Sequence, residues 1–137
     1  MKKFKRYSKM NESIYRRELL ELYKHPHNFG NLKNPDIEYT LNNPLCGDEI
    51  TVKLKIKNKK VEEINFIGIG CVISIAQTSL LTDKVKGMNI DEIKKISADS
   101  VLSMLKTKIN PARIKCALLS LETIKGAISK NEHLKDK

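Results

Sequence analysis

The chain of 137 residues has no tryptophan, and three phenylalanines and four tyrosines are its only aromatic residues. Proteins that bind single-stranded nucleic acid stack bases on aromatic side chains, and this sequence offers few of them. No apolar run approaches the roughly 18 residues that would span a bilayer. The basic first residues lack a following apolar stretch and a small-residue cleavage site. We therefore expect no secretory signal and no membrane partner.

Acidic residues are also scarce, since 26 basic against 16 acidic side chains give a formal net charge of +10. A basic domain can indicate nucleic-acid binding, which normally concentrates the charge in one patch or stripe. The lysines here are spread along the whole chain. A nucleic-acid-binding module would also leave the cysteines unexplained. We expect no nucleic-acid partner. An acidic protein is the partner that the positive net charge favours more.

Cysteine occurs three times, at Cys46, Cys71 and Cys116. An odd number of cysteines without a secretory signal argues against a disulfide framework and for a reducing compartment, so we expect a cytoplasmic protein. Widely spaced cysteines in such a compartment serve metals or sulfur chemistry more often than structure. Each of them, taken alone, is equally compatible with a buried structural residue.

Hydrophobic periodicity predicts an α+β fold in which a small antiparallel sheet of about three strands is packed by several helices. We expect a single domain over residues 1–137, with a core of about 13–128, a basic N-terminal tail and a polar C-terminal tail from Ser129. The short Asn58-Lys59-Lys60 link, in which Asn tolerates a positive φ angle, predicts a hairpin. The predicted strands cover 37–41, 50–57 and 61–67; the predicted helices cover 13–23, 73–86, 91–105 with a break near Ser97, and a last helix from Asn110.

The three cysteines and Asp48 occupy loop or helix-start positions, where sites are commonly built. Cys46-Gly47-Asp48 follows a proline turn, and Gly47 lets the backbone turn between two candidate ligands. Cys71 follows Gly68-Ile69-Gly70 at a strand-to-helix junction, where the helix N-terminus favours a thiolate. Cys116 follows Arg113 and Lys115, whose charges also favour a thiolate. Three thiolates and one carboxylate describe a metal or iron–sulfur site.

Alternatives remain for each group. Asp48 alone could cap a turn, and Cys71 and Cys116 could fill small core spaces. The spacing contains no C-x₂-C pair, so no local zinc ribbon is implied. His25 and His27 form an H-x-H pair, but they follow the first helix in a Pro- and Asn-rich segment and are interpreted as loop residues.

The motifs resemble those of the iron–sulfur cluster assembly scaffolds, the IscU, NifU N-terminal and SufU family. The resemblance covers about residues 13–128 and keeps all three cysteines and the aspartate in order. It is carried by Asn43-Pro44-Leu45-Cys46-Gly47-Asp48, by Gly68-Ile69-Gly70-Cys71 with the following Ser- and Thr-containing helix, by Pro111-Ala112-Arg113-Ile114-Lys115-Cys116, and by the Tyr23–Gly30 segment.

The resemblance implies that Cys46, Asp48, Cys71 and Cys116 surround one exposed site for a [2Fe–2S] cluster or iron, with zinc as the alternative or resting metal. Cys116 would accept persulfide sulfur from a cysteine desulfurase, supported by Lys115 and Arg113. Asp48 would be a labile ligand that keeps the site exchangeable. The implied partners are a cysteine desulfurase and apo iron–sulfur acceptor proteins.

Two differences from the family's motifs bear on which branch of the family the chain resembles. Lys115 stands where the IscU branch has a histidine, and the Arg-x-Lys-Cys-Ala pattern resembles SufU. The separation of 45 positions between Cys71 and Cys116 is too short for the insertion of SufU proteins. We therefore expect a non-catalytic scaffold, with a zinc-dependent SufU-type sulfurtransferase as the alternative. The sequence leaves the oligomeric state open between a monomer and a weak dimer.

Overall fold

The computed structural model describes residues 14, 16–45, 47–106 and 109–135. Its sheet has three antiparallel strands in the order β1 (Ile37–Asn43), β2 (Asp48–Lys57) and β3 (Lys60–Ile69). The predicted three-stranded antiparallel sheet is thus confirmed. Each strand extends beyond its predicted bounds, because strand pairing continues into the turns that the sequence pattern separates from the strands.

Gly68 was predicted to end β3, but the strand continues through it to Ile69. The residue lies opposite Ile50, and a Cβ added at Gly68 would lie 2.6 Å from the carbonyl oxygen of Glu49. Glycine is therefore needed here for close approach of the two strands, and it does not interrupt their pairing.

The hairpin between β2 and β3 turns at Asn58 and Lys59, which both have positive φ angles of 55° and 61°. Two such residues in succession match the tight turn that fits the twist of a hairpin, as the sequence predicted. The alternation of β2 places Ile50, Val52 and Leu54 on the buried face of the sheet.

The helices described are α1 (residues 16–24), α2 (Val72–Val85), α3 (Ile90–Lys94), α4 (Ala98–Ser103) and α5 (Ile114–Lys135), the last preceded by a 3₁₀ turn at Pro111–Arg113. The predicted break near Ser97 is confirmed. Ser97 is the N-cap of α4, and its hydroxyl accepts a hydrogen bond of 3.1 Å from the backbone N–H of Ser100.

The last helix differs from the prediction, because α5 continues to Lys135 where a polar tail was expected from Ser129. Asn131 is buried within this extension, so the buried face of the helix continues beyond the last residue of its buried apolar stripe. Hydrophobic periodicity does not detect a buried position occupied by asparagine, which explains the error.

The core lies between the sheet and the helices, with α5 packed across β1 and β2, and α2 packed against α5 and β3. Gly126 lets α5 approach β1 closely, since a Cβ there would lie 2.8 Å from Cζ of Tyr39. A second apolar cluster joins Leu19 of α1 to Ala76 of α2 and Ala117 of α5. The first helix is thereby attached to the two helices that carry Cys71 and Cys116. Within the described residues, no helix combines the length and apolar character needed to cross a bilayer.

Candidate metal centre

Three of the four predicted ligands meet at one end of the sheet. Asp48 is the first residue of β2, Cys71 is the N-cap of α2, and Cys116 lies in the first turn of α5. One ligand atom from each lies within 4.8 Å of the other two. Asp48 and Cys116 are 4% and 1% exposed, whereas Cys71 is partly open to solvent. The fourth predicted ligand, Cys46, lies outside the described residues.

Asp48 is positioned by the turn between β1 and β2. Asn43 pairs with Asp48 across the strands, and its carbonyl oxygen accepts a hydrogen bond of 2.8 Å from the N–H of Gly47. The side-chain oxygen of Asn43 also accepts from the N–H of Leu45 at 3.1 Å. Gly47 has a φ angle of +76°, which an L-residue rarely adopts. The turn therefore requires glycine immediately before the carboxylate.

Cys71 is positioned by the start of α2. Its backbone is extended, with φ −77° and ψ 172°, and its side chain makes no capping hydrogen bond. Its carbonyl oxygen accepts from the backbone N–H of Ile75 and from the hydroxyl of Ser74, both at 3.1 Å. The thiol therefore stands at the positive end of a helix, where negative charge is stabilised.

Arg113 places a positive charge beside two of the sulfur atoms. A hydrogen bond with Cys116, followed by electrostatic attraction to Cys71 and Cys116, raises the pKa of the Arg113 guanidinium above its usual range. Arg113 thus supplies a fixed positive charge next to the sulfur atoms of Cys116 and Cys71. The supporting role of Arg113 in sulfur transfer stays a prediction; the structure places its guanidinium group beside Cys116 and Cys71.

Lys115, the other predicted supporting residue, is exposed and lines a cavity of about 270 Å³ together with Asn43, Pro44 and Glu122. The cavity lies beside the turn that leads to Asp48. Lys115 thus lies next to the β1–β2 turn, and none of the described candidate ligands lines the cavity that it borders.

The chemistry of the donor set fits a metal cation. Oδ2 of Asp48 is buried and has no hydrogen-bond partner among the described residues. A buried carboxylate oxygen without a partner is destabilising by about 1–3 kcal/mol or more, which a bound cation would offset. Tetrahedral zinc has ligand bonds of about 2.0–2.3 Å, so a mutual spacing of donors within 4.8 Å is compatible with one ion.

Gly70 is the neighbour whose role the sequence did not show. A Cβ at Gly70 would collide with Oγ of Ser74 and would lie 3.2 Å from Cγ of Asp48. The sequence identified the Gly-x-Gly segment only as a strand break before Cys71. Its second glycine clears the space in which the carboxylate and the start of α2 meet.

The two histidines are located elsewhere, as predicted. His27 lies in the loop after α1, and its Nδ1 is 2.6 Å from Oδ2 of Asp83. Asp83 is twelve residues after Cys71, near the opposite end of α2, which corresponds to about 18 Å along a helix. Neither His25 nor His27 belongs to the cluster of candidate ligands found in the described residues.

Residues 14–137 match the family model described as the NifU-like N-terminal domain. The zinc-dependent sulfurtransferase SufU of Bacillus subtilis is 33% identical, with 88% of this chain and 93% of that protein covered. The iron–sulfur cluster assembly scaffold protein IscU of Streptococcus pyogenes is 34% identical, with coverage of 94% and 92%. A crystal structure of a NifU-like N-terminal protein from Brucella abortus shares the fold, with a TM-score of 0.73, 24% identity, and coverage of 89% of this chain and 96% of that one. The chain therefore belongs to the NifU-like N-terminal domain family, as its motifs had suggested.

Proposed function

We propose that this protein is an iron–sulfur cluster assembly scaffold. It accepts sulfur from a cysteine desulfurase, holds a [2Fe–2S] cluster as cargo on Cys46, Asp48, Cys71 and Cys116, and transfers it to apo acceptor proteins in the cytoplasm. The observation that carries the proposal is the convergence of Asp48, Cys71 and Cys116 within 4.8 Å. The relative from Streptococcus pyogenes that is named a scaffold protein supports the same role.

Cys116 is the proposed sulfur acceptor. Its thiolate attacks the outer sulfur of the desulfurase persulfide, forming a new S–S bond while the desulfurase S–S bond breaks and its cysteine leaves as a thiolate. This exchange requires no external oxidant or reductant. Arg113, which hydrogen-bonds Cys116, places a positive charge beside the attacking sulfur, and such a charge favours the thiolate that attacks.

Asp48 is the proposed exchangeable ligand. A carboxylate is a harder and more weakly held ligand for iron than a thiolate, so its presence favours release of the cargo. Its burial at 4% exposure keeps water away from the unpartnered oxygen until a cation binds. A scaffold needs this combination, because it must both retain a cluster and give it up.

The alternative function is that of a zinc-dependent sulfurtransferase. Three thiolates and one carboxylate form a suitable tetrahedral set for zinc. Lys115 in place of the histidine of the IscU branch, and the relative from Bacillus subtilis named as such a transferase, favour it. Under this proposal the same four residues would bind zinc. Cys116 would relay persulfide sulfur, and no cluster would be assembled.

Anaerobic reconstitution with ferrous iron, cysteine and a cysteine desulfurase separates the two functions. Visible absorbance follows cluster formation, and mass spectrometry detects persulfide on Cys116, with Cys116→Ser as the control. A coloured cluster that moves to an apo-ferredoxin is the expected result for a scaffold. Persulfide on Cys116 without a cluster, together with a requirement for zinc, would establish the transferase instead. The absence of both signals would contradict both functions.

A further inference from the structure

Ser74 is hydrogen-bonded to Cys71, one of the candidate ligands, and lies beside Gly70, the glycine next to a second candidate ligand, Asp48. It is the third residue of α2 and has no exposed surface. Its hydroxyl donates a hydrogen bond of 3.1 Å to the carbonyl oxygen of Cys71. The same oxygen accepts the backbone N–H of Ile75, so the hydroxyl adds a second bond to the carbonyl group of the residue that carries the thiol.

The same hydroxyl lies near the carboxyl group of Asp48, because the Cβ position of Gly70 is close to both. A Cβ built on Gly70 would collide with Oγ of Ser74, and it would lie 3.2 Å from Cγ and 3.4 Å from Oδ1 of Asp48. The hydroxyl and the carboxyl group therefore flank one narrow space that only glycine leaves open. Oδ1 of Asp48 borders this space, while Oδ2 is the buried oxygen without a hydrogen-bond partner.

We propose that Ser74 is a positioning residue that holds Cys71 and Asp48 in a fixed relation for metal binding. Its hydrogen bond helps to hold the Cys71 carbonyl group, and its hydroxyl occupies one side of the narrow space beside Gly70 that the Asp48 carboxyl group borders on the other. The proposal rests on the metal-binding part of the proposed function and applies equally to iron and to zinc. Residues that orient ligands in this way commonly change metal affinity by about 10- to 100-fold when removed.

Ser79 provides a matched control on the same helix. It is fully buried like Ser74, and its hydroxyl donates a comparable bond of 3.2 Å to the carbonyl oxygen of Ile75. Ser74→Ala and Ser79→Ala therefore remove the same atom from the same helix in similar surroundings. A difference in zinc affinity between the two variants would therefore reflect the metal site, because both variants lose a similar hydrogen bond within the helix.

The test measures zinc affinity of the full chain by competition with a chromophoric chelator, and the absorption spectrum after loading with Co²⁺. Wild type is measured first, because failure to bind either ion would contradict the metal centre of the proposed function itself. Given binding, Ser74→Ala is expected to weaken zinc affinity by about 10- to 100-fold and to alter the Co²⁺ spectrum. Ser79→Ala is expected to keep the wild-type affinity and spectrum.

Wild-type affinity and spectrum in Ser74→Ala would overturn the proposal, and so would equal losses in the two alanine variants. Far-ultraviolet circular dichroism of the apo proteins checks that each variant folds. Ser74→Thr retains the hydroxyl and is expected to bind zinc more tightly than Ser74→Ala. If Ser74→Ala does not fold, Ser74→Gly and Ser79→Gly are compared in the same way; weaker zinc binding in Ser74→Gly alone would support the proposal, and equal affinities would contradict it.

Discussion

The guanidinium group of Arg113 hydrogen-bonds Cys116 from three residues earlier in the chain, within the turn that opens α5. This relationship predicts the effect of Arg113→Ala. Loss of the positive charge lowers the thiolate fraction of Cys116, so persulfide formation at neutral pH should slow by about tenfold, the lower end of losses seen for residues that support a site. Mass spectrometry at timed intervals after desulfurase addition measures the rate.

Arg113→Lys is the control for that variant. Lysine keeps the positive charge but lacks the planar, forked set of hydrogen-bond donors of arginine. Persulfide formation in Arg113→Lys should therefore be faster than in Arg113→Ala. Equal rates in wild type and Arg113→Ala would show that Cys116 does not depend on this cation.

Gly70→Ala should weaken metal binding and destabilise the fold. The added methyl group would collide with Ser74 and press on the Asp48 carboxyl group, and overpacking of this kind commonly costs about 1–3 kcal/mol. Urea denaturation measures the stability, and zinc competition measures the affinity. The expected result is a loss in both.

Gly30→Ala is the comparison for Gly70→Ala. Gly30 has a φ angle of +130° and open space around its Cα, so the substitution strains the backbone away from the centre. It should lower stability and leave zinc affinity unchanged. A Gly70→Ala protein with wild-type affinity would show that the packing beside Asp48 is unimportant for the metal.

Asp48→Ala should trap a bound cluster. The substitution removes the carboxylate from the proposed ligand set and leaves only sulfur donors among its protein residues, so the cluster should exchange more slowly. The measurement is the rate of cluster transfer from the reconstituted protein to apo-ferredoxin, followed by circular dichroism in the visible region. A transfer rate equal to that of wild type would contradict the role assigned to Asp48.

Removal of metal should lower the thermal midpoint of unfolding. The candidate ligands come from β2, α2 and α5, so an ion that binds only the folded chain links these elements. An ion at 1,000 times its dissociation constant stabilises by about 4 kcal/mol, which for a chain of this size is a shift on the order of 10 °C. Calorimetry before and after chelation tests this.

Cys71→Ser is the control for the chelation experiment, since loss of one thiolate should make the midpoint much less sensitive to chelator. Equal midpoints of the wild-type protein with and without chelator would show that metal binding is not coupled to folding.

Local patterns in the sequence predicted most of the secondary structure. The alternation of Ile50, Val52 and Leu54 indicated a strand with one buried face, and Asn58-Lys59 indicated the hairpin turn. These features could be predicted because side-chain period and turn conformation depend on neighbouring residues. The errors at Gly68 and after Ser129 arose where packing against a distant segment overrode the local signal.

The sequence by itself determined the order of the elements and the candidate ligands, because thiolates, a carboxylate and their motifs are visible in the residue types alone. Only the tertiary structure decided that Asp48, Cys71 and Cys116 meet within 4.8 Å, and that Gly70 leaves a narrow space next to both the carboxyl group and the Ser74 hydroxyl. Their separations of 23 and 45 residues are spanned by a strand pair and by the packing of α2 on α5. Such convergence depends on the sum of many long-range contacts, which no local pattern encodes.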